Sequence, residues 1–250
     1  MDFGLGERVV LVTGGVRGVG RGISAVFADQ GATVVTCARR DVEDLPYEFH
    51  SCDVRDPDAV GALIAAIVDR HGRLDVVVNN AGGSPYALAA EASPRFHQKV
   101  IELNLLGMLH VSQAANAIMQ QQPRGGSIVS ISSVSGSRPS PGTASYGAAK
   151  AGVDSLTASL AVEWAPKVRV NAVVAGMVAT EQAELFYGDS ASQAAVAATV
   201  PLGRLAKPSE IGWAVAFLAS DAASYISGAM LTVHGGGESP QYLSASNANG

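Results

Sequence analysis

The sequence predicts an α/β fold, a doubly wound parallel sheet in a single domain. Three observations carry that prediction. Short, β-branched apolar runs alternate along the chain with longer segments of helical period. The short runs are continuously apolar, as strands are when helices cover both faces of a parallel sheet. No linker or internal repeat divides the 250 residues, and 48% of them are hydrophobic, enough for one sizeable core. Regular βαβ alternation implies right-handed crossovers, with ligands beyond the carboxyl ends of the strands. The informative residues are therefore those that follow each strand.

Val9–Val12 reads as the first strand, followed by a Gly-rich turn and a helix near Gly20–Gln30. Thr33–Cys37 is the second strand and Tyr47–Cys52 a weaker third. Asp56 is a capping residue and Pro57 suits the first helical position, so a helix runs from there to about His71. Leu74–Val78 is the fourth strand, with a long helix from about Arg95 to Gln120. Ser127–Ile131 is the fifth strand, Ala144–Glu163 a helix and Val168–Val174 the sixth strand. Gln182–Thr199 is less regularly helical, Pro208–Ser220 is a further helix, and Ala229–Val233 closes the pattern. The domain spans 1–250, with a small, polar tail from about Glu238.

Composition excludes several function classes. The net charge is −5, and no basic cluster exceeds the adjacent pair Arg39 and Arg40, which argues against a nucleic-acid partner. No apolar window reaches membrane-spanning length, and the N-terminus lacks the features of a signal peptide. The two cysteines, Cys37 and Cys52, form no C-x-x-C pair; the pattern suits a reducing cytoplasm, with Cys37 a buried thiol in a strand. The five histidines are scattered without ligand spacing, so no metal site is expected.

Thr13-Gly14-Gly15-Val16-Arg17-Gly18-Val19-Gly20 follows the first strand and opens a helix. A chain that must turn sharply, approach a pyrophosphate and aim helix N-terminal amides at it needs glycine there. The second strand ends Ala38-Arg39-Arg40, without the acidic residue that binds a ribose 2′-hydroxyl in NAD-preferring folds. Arg39, with Arg17 from the turn, offers instead a planar fork suited to a 2′-phosphate, so NADP(H) is expected in preference to NAD(H). The alternative is that both are solvated surface cations. Asp53 either accepts from an adenine amino group or caps a turn, and Asn79-Asn80-Ala81-Gly82 taken alone is a strand-end turn.

Tyr146 and Lys150 lie four apart at the start of a predicted helix and so share a face. A lysine cation beside a phenol favours the phenolate, which predicts a lowered Tyr146 pKa and a general acid/base. Ser132 and Ser133, placed just past the fifth strand, can polarise a carbonyl; in isolation they are ordinary loop serines.

In order along the chain stand T-G-x-x-x-G-x-G (Thr13 to Gly20), N-N-A-G (Asn79 to Gly82), Asn104, I-S-S (Ile131–Ser133) and Y-x-x-x-K (Tyr146–Lys150). In this set the sequence resembles the short-chain dehydrogenase/reductase family over essentially its whole length. The resemblance implies a Rossmann fold and a catalytic tetrad of Asn104, Ser133, Tyr146 and Lys150, with Ser133 selected over Ser132 by its distance from the tyrosine. Tyr146 would exchange a proton with the substrate oxygen, which Ser133 would polarise. Lys150 would bind the nicotinamide ribose and depress the tyrosine pKa, and Asn104 would hold a water. The cofactor set implied is Thr13, Gly14, Arg17, Gly18, Val19, Gly20, Ala38, Arg39, Asp53, Val54, Asn80, Ala81, Gly82, Tyr146, Lys150, Gly176, Val178 and Thr180. Ala175 stands where the family usually has proline, which predicts a less constrained loop.

The segment Glu181 to Leu202 corresponds to the family's substrate lid. Leu185, Phe186 and Tyr187, with Pro85, Tyr86 and Met177, are expected either to line an apolar pocket or to pack as an ordinary helix. The activity expected is interconversion of a secondary alcohol and a ketone on a hydrophobic substrate. The alternatives are a 3-oxoacyl-thioester reductase and, in another class, a non-catalytic nucleotide sensor. Relatives form a homodimer or homotetramer through the two long helices and the C-terminal strand, and the same is expected here. His234 is expected to be structural or interfacial.

Overall fold

A computed structural model of the chain describes residues 3–42, 44–238 and 240. Seven parallel strands form one sheet in the order β3-β2-β1-β4-β5-β6-β7. They are β1 Val9–Thr13, β2 Thr33–Ala38, β3 Glu48–Ser51, β4 Val76–Asn79, β5 Gly126–Ser133, β6 Val168–Ala175 and β7 Met230–Val233. The order reverses between β1 and β4, so the crevice at their carboxyl ends is the topological switch point of the sheet. Of the polar tail, only Glu238 and Pro240 lie among the described residues.

Alternation along β1 divides the core. Val9 and Leu11 pack with Val35, Val77, Val111 and Ile128 on one face. Val10 and Val12 pack with Phe27, Val78, Ile211 and Val215 on the other. Both faces are buried, which explains the unbroken apolar run. Each fully buried aliphatic side chain contributes roughly 1.5–3 kcal/mol relative to exposure.

The helices are α1 Gly18–Asp29, α2 Pro57–His71, α3 Pro94–Ile101, α4 Gly107–Met119, α5 Ala144–Glu163, α6 Ala183–Tyr187, α7 Ser190–Ala198 and α8 Pro208–Ala219. The start expected at Asp56-Pro57 is realised: the Asp56 carboxylate accepts from the amides of Asp58 and Ala59, with Pro57 in the first turn. The long helix expected from Arg95 to Gln120 is interrupted by a π-helical turn, Glu102–Leu106. β5 runs on through Ser132 and Ser133, which are thus strand residues and not a following loop. The region Gln182–Thr199 resolves into α6 and α7. Among the described residues, no helix is long and apolar enough to cross a membrane.

Candidate active site

The glycine turn is braced from β4. Thr13 Oγ1 accepts from the amides of Asn80 and Ala81, each at 3.0 Å. Asn80 Nδ2 donates to the carbonyls of Thr13 at 2.9 Å and Gly14 at 3.1 Å. Thr13 and Asn80 therefore lock the ends of β1 and β4 together. Glycine is obligatory at position 20, where a Cβ would lie 2.2 Å from Gly14 O and 2.4 Å from Asn80 Nδ2. Helix α1 then opens with Arg17 in extended conformation, no side-chain cap and no acidic residue in its first turn. Its first amides need an outside acceptor. One is present: Gly18 N–H donates at 2.7 Å to Glu181 Oε1. A carboxylate seated on the cradle acts as a stand-in anion and shows that the loop accepts negative charge there. Val19 follows within the first helical turn. The residues present therefore fit a dinucleotide pyrophosphate.

At the far end of the crevice, Ala38 closes β2 and Arg39 is exposed, as is Arg17 in the turn. The Asp53 carboxylate is engaged by Arg55, through Nε at 2.9 Å, Nη2 at 2.5 Å and the backbone amide at 3.1 Å. Asp53 thus caps its own turn, and Arg55, with a smaller effect from Arg39, holds its pKa below the usual carboxylate range. Val54 is buried, and a Cβ on Gly107 would meet its Cγ2 at 2.9 Å. Cys37 and Cys52 are free, buried thiols.

The catalytic candidates converge at the carboxyl ends of β4 and β5. Alternation along β5 separates the two serines. Ser132 turns into the core, with its hydroxyl on the Lys150 carbonyl at 3.4 Å. Ser133 faces the Tyr146 phenol, and its hydrogen bond favours the phenolate. Lys150 is buried, and its Nζ donates to Ile131 O at 2.7 Å, 5.5 Å from the Tyr146 ring centroid. Asn104 sits in the π-turn, where its Oδ1 accepts from Gly83 N at 2.8 Å and its Nδ2 donates to the carbonyls of Gly83 and Val100, each at 2.9 Å. Gly82 lies between the two groups: a Cβ there would come 2.6 Å from Asn104 Oδ1 and 3.6 Å from Lys150 Nζ. Among the described residues no cluster suited to a metal ion occurs.

The expected lowering of the Tyr146 pKa is corrected by the structure. Burial pushes the phenol up, the Ser133 hydrogen bond opposes this, and neighbouring Tyr187 adds to the rise. Lys150 is not among the groups that lower the phenol; burial pulls its own ammonium down to about 7, against the pull of Asp154. Both groups are desolvated together, and desolvation disfavours whichever form is charged.

Ala175, where the family usually has proline, is the last residue of β6, and the loop begins after it. β6 extends through Ala175, which pairs with Ser133 on one side and Val233 on the other. Alanine keeps the N–H that proline would lack, so the ladder can continue. Gly176 follows, so close to His234 that a Cβ would lie 2.7 Å from its Cα. His234 is thus a packing residue. Val178 bridges to Ala206, and Thr180 Oγ1 accepts from Gln182 N at 3.3 Å.

In the lid, Leu185 and Phe186 are 77% and 60% exposed, whereas Tyr187 turns inward to the Val178 amide and the neighbourhood of Tyr146. Tyr86 is exposed and stacks over Gly142. The sequence did not reveal the Glu181 contact, nor the bond from His97 to Ser145, the residue before Tyr146. Neither has a local signal, because the partners are 163 and 48 residues apart.

A family model described as Enoyl-(Acyl carrier protein) reductase matches residues 14–238. The 3-oxoacyl-[acyl-carrier-protein] reductase FabG of Thermotoga maritima is 36% identical, over 92% of this chain and 97% of that protein. The cis-4-hydroxycyclohexanecarboxylate dehydrogenase of Sinomonas cyclohexanicum is 38% identical, over 94% of this chain and 98% of that protein. The ligand-free aldohexose dehydrogenase of Thermoplasma acidophilum superposes with a TM-score of 0.90 at 35% identity, over 99% of this chain and 98% of that one. With its parallel sheet and the grouping of Ser133, Tyr146 and Lys150, the chain belongs to the short-chain dehydrogenase/reductase family and is an oxidoreductase acting between CH–OH and C=O.

Proposed function

We propose that the protein is an NADP(H)-dependent oxidoreductase that interconverts a secondary alcohol and a ketone on a hydrophobic substrate. The observation that carries the reading is the grouping of the Ser133 hydroxyl, the Tyr146 phenol and the buried Lys150 beside the glycine cradle. When bound, the nicotinamide supplies or accepts the hydride. The glycine turn would hold the pyrophosphate, Arg17 and Arg39 the 2′-phosphate, and Val178 and Thr180 the carboxamide end. In reduction, Ser133 donates a hydrogen bond to the carbonyl oxygen, and Tyr146 delivers its phenolic proton to that oxygen as negative charge develops. In oxidation the proton returns to Tyr146. The upward shift of the phenol keeps it protonated at neutral pH, the form that reduction requires. Lys150 holds the ribose side, and the Asn104 side chain fixes the Gly83 backbone that walls this corner.

The exposed apolar side chains Leu185 and Phe186 of the lid, and Tyr86 in the segment after β4, support a hydrophobic substrate. The reading extends to a cytoplasmic homodimer or homotetramer; exposed Leu106 and Val162 beside α4 and on α5 support a two-fold contact there. A 3-oxoacyl-thioester reductase is the second reading, favoured by the likeness to the Thermotoga maritima FabG.

The test is NADPH consumption with a panel of cyclic ketones and acetoacetyl-coenzyme A. Ketone-dependent turnover is expected, lost about 100-fold or more in Tyr146→Phe with nucleotide binding retained. Near-wild-type turnover in that variant would refute the assignment, and turnover with the thioester alone would select the second reading.

A further inference from the structure

The carboxylate on the glycine cradle is not used by the proposed reaction. Glu181 comes from the start of the lid, 163 residues from Gly18, yet its Oε1 accepts the Gly18 amide at 2.7 Å. Helix α1 supplies no acceptor of its own, having neither a side-chain cap nor an acidic residue in its first turn. Its N-terminal end therefore favours any carboxylate within reach. Thr180 lies on the same turn, 3.6 Å from where a Cβ of Gly18 would stand. The lid also has a pinched stem. Ala179 N donates to Ala206 O at 2.8 Å and Ala206 N to Met177 O at 2.9 Å, so the segment from Thr180 to Leu205 leaves and returns at one place. Glu181 is thus a latch at the foot of the lid, closed on an amide that the dinucleotide reading gives to a pyrophosphate.

We infer that Glu181 is an internal competitor of the dinucleotide: its carboxylate takes the place of a pyrophosphate oxygen on Gly18 N–H, and the nucleotide must displace it to bind. The inference rests on the dinucleotide reading above. One amide cannot serve both anions at full strength, and a carboxylate left beside a pyrophosphate repels it. Displacement exchanges the Glu181 hold on the foot of the lid for the nucleotide's own contacts with Val178 and Thr180, so the latch and the nucleotide hold the same stem in turn. Loss of one exposed, charge-assisted bond corresponds to about three- to tenfold in Kd.

The experiment is a fluorescence titration of the wild type, Glu181→Ala and Glu181→Gln with NADPH and NADH, combined with amide hydrogen exchange over residues 183–198 in the nucleotide-free proteins. Both variants are expected to bind nucleotide about three- to tenfold more tightly than the wild type, and the lid of Glu181→Ala is expected to exchange faster. Glu181 is exposed, so the variants keep the fold. If the wild type binds nucleotide while both variants bind equally well or more weakly, or if lid exchange is unchanged, the latch is overturned and the cofactor reading stands. If the wild type binds neither nucleotide, the cofactor reading falls and the latch with it.

Discussion

Lys150 offers a quantitative test, because its position forces a conflict between stability and function. The residue is buried, and its ammonium titrates near 7, compared with an ordinary 10.5. The folded pKa is depressed, so between those values the unfolded chain binds more protons than the folded protein, and stability rises with pH across the window. At about 1.36 kcal/mol per pH unit, the buried amine costs about 4–5 kcal/mol below pH 7 and about 2 kcal/mol at pH 9. Lys150→Met keeps the stem and removes the charge, at the cost of leaving Ile131 O without its 2.7 Å donor, roughly 1–3 kcal/mol. The Met variant should therefore be more stable than the wild type by about 2–3 kcal/mol at pH 6, and the gap should close or reverse by pH 9. Urea denaturation followed by circular dichroism at several pH values measures this directly. Parallel pH profiles for wild type and variant would refute the argument, since they would mean that Lys150 titrates alike in the folded and unfolded states. The variant should also lack turnover.

The phosphate assignment and the cradle make further predictions. Arg39→Ala should weaken NADPH about 10-fold or more while leaving NADH nearly unchanged, because only the former carries the 2′-phosphate that a planar guanidinium grips; equal losses for the two nucleotides, measured by titration, would mean that Arg39 is a surface cation. Gly20→Ala should abolish nucleotide binding and cost about 2 kcal/mol or more in denaturant unfolding, since its Cβ would stand 2.2 Å from Gly14 O and force apart the Asn80 brace. Binding within a factor of about two of wild type would show that the cradle tolerates the displacement.

Much of the fold was legible because its signals are local. Continuous apolar runs such as Val9–Val12 announce strands buried on both faces, and the pair Asp56-Pro57 starts α2 where a capping carboxylate and a proline can both be satisfied. The π-turn at Glu102–Leu106 was not legible. It carries no proline or other breaker, and one residue gained per turn leaves no mark in a short periodic pattern. Yet that turn is where Asn104 is seated over Gly83.

The candidate site divides in the same way. The positions of Tyr146 and Lys150 on one helix face, and of the glycines after β1, follow from spacing and needed no coordinates. Their electrostatics did not follow, because the sign of the Tyr146 shift depends on how much water the packed sheet and helix α5 exclude. The contrast between Ser132 and Ser133 required knowing that β5 continues through both, so that adjacent residues face opposite ways. The contact of Glu181 with Gly18 depends on the crossover that brings the lid back over the β1 turn. The sequence by itself determined which backbone can form and which chemical groups are available, since propensity, capping and glycine tolerance act over a few residues. Only the tertiary structure decided desolvation, side-chain direction and long-range pairing, since each depends on what lies across space from a residue and not along the chain.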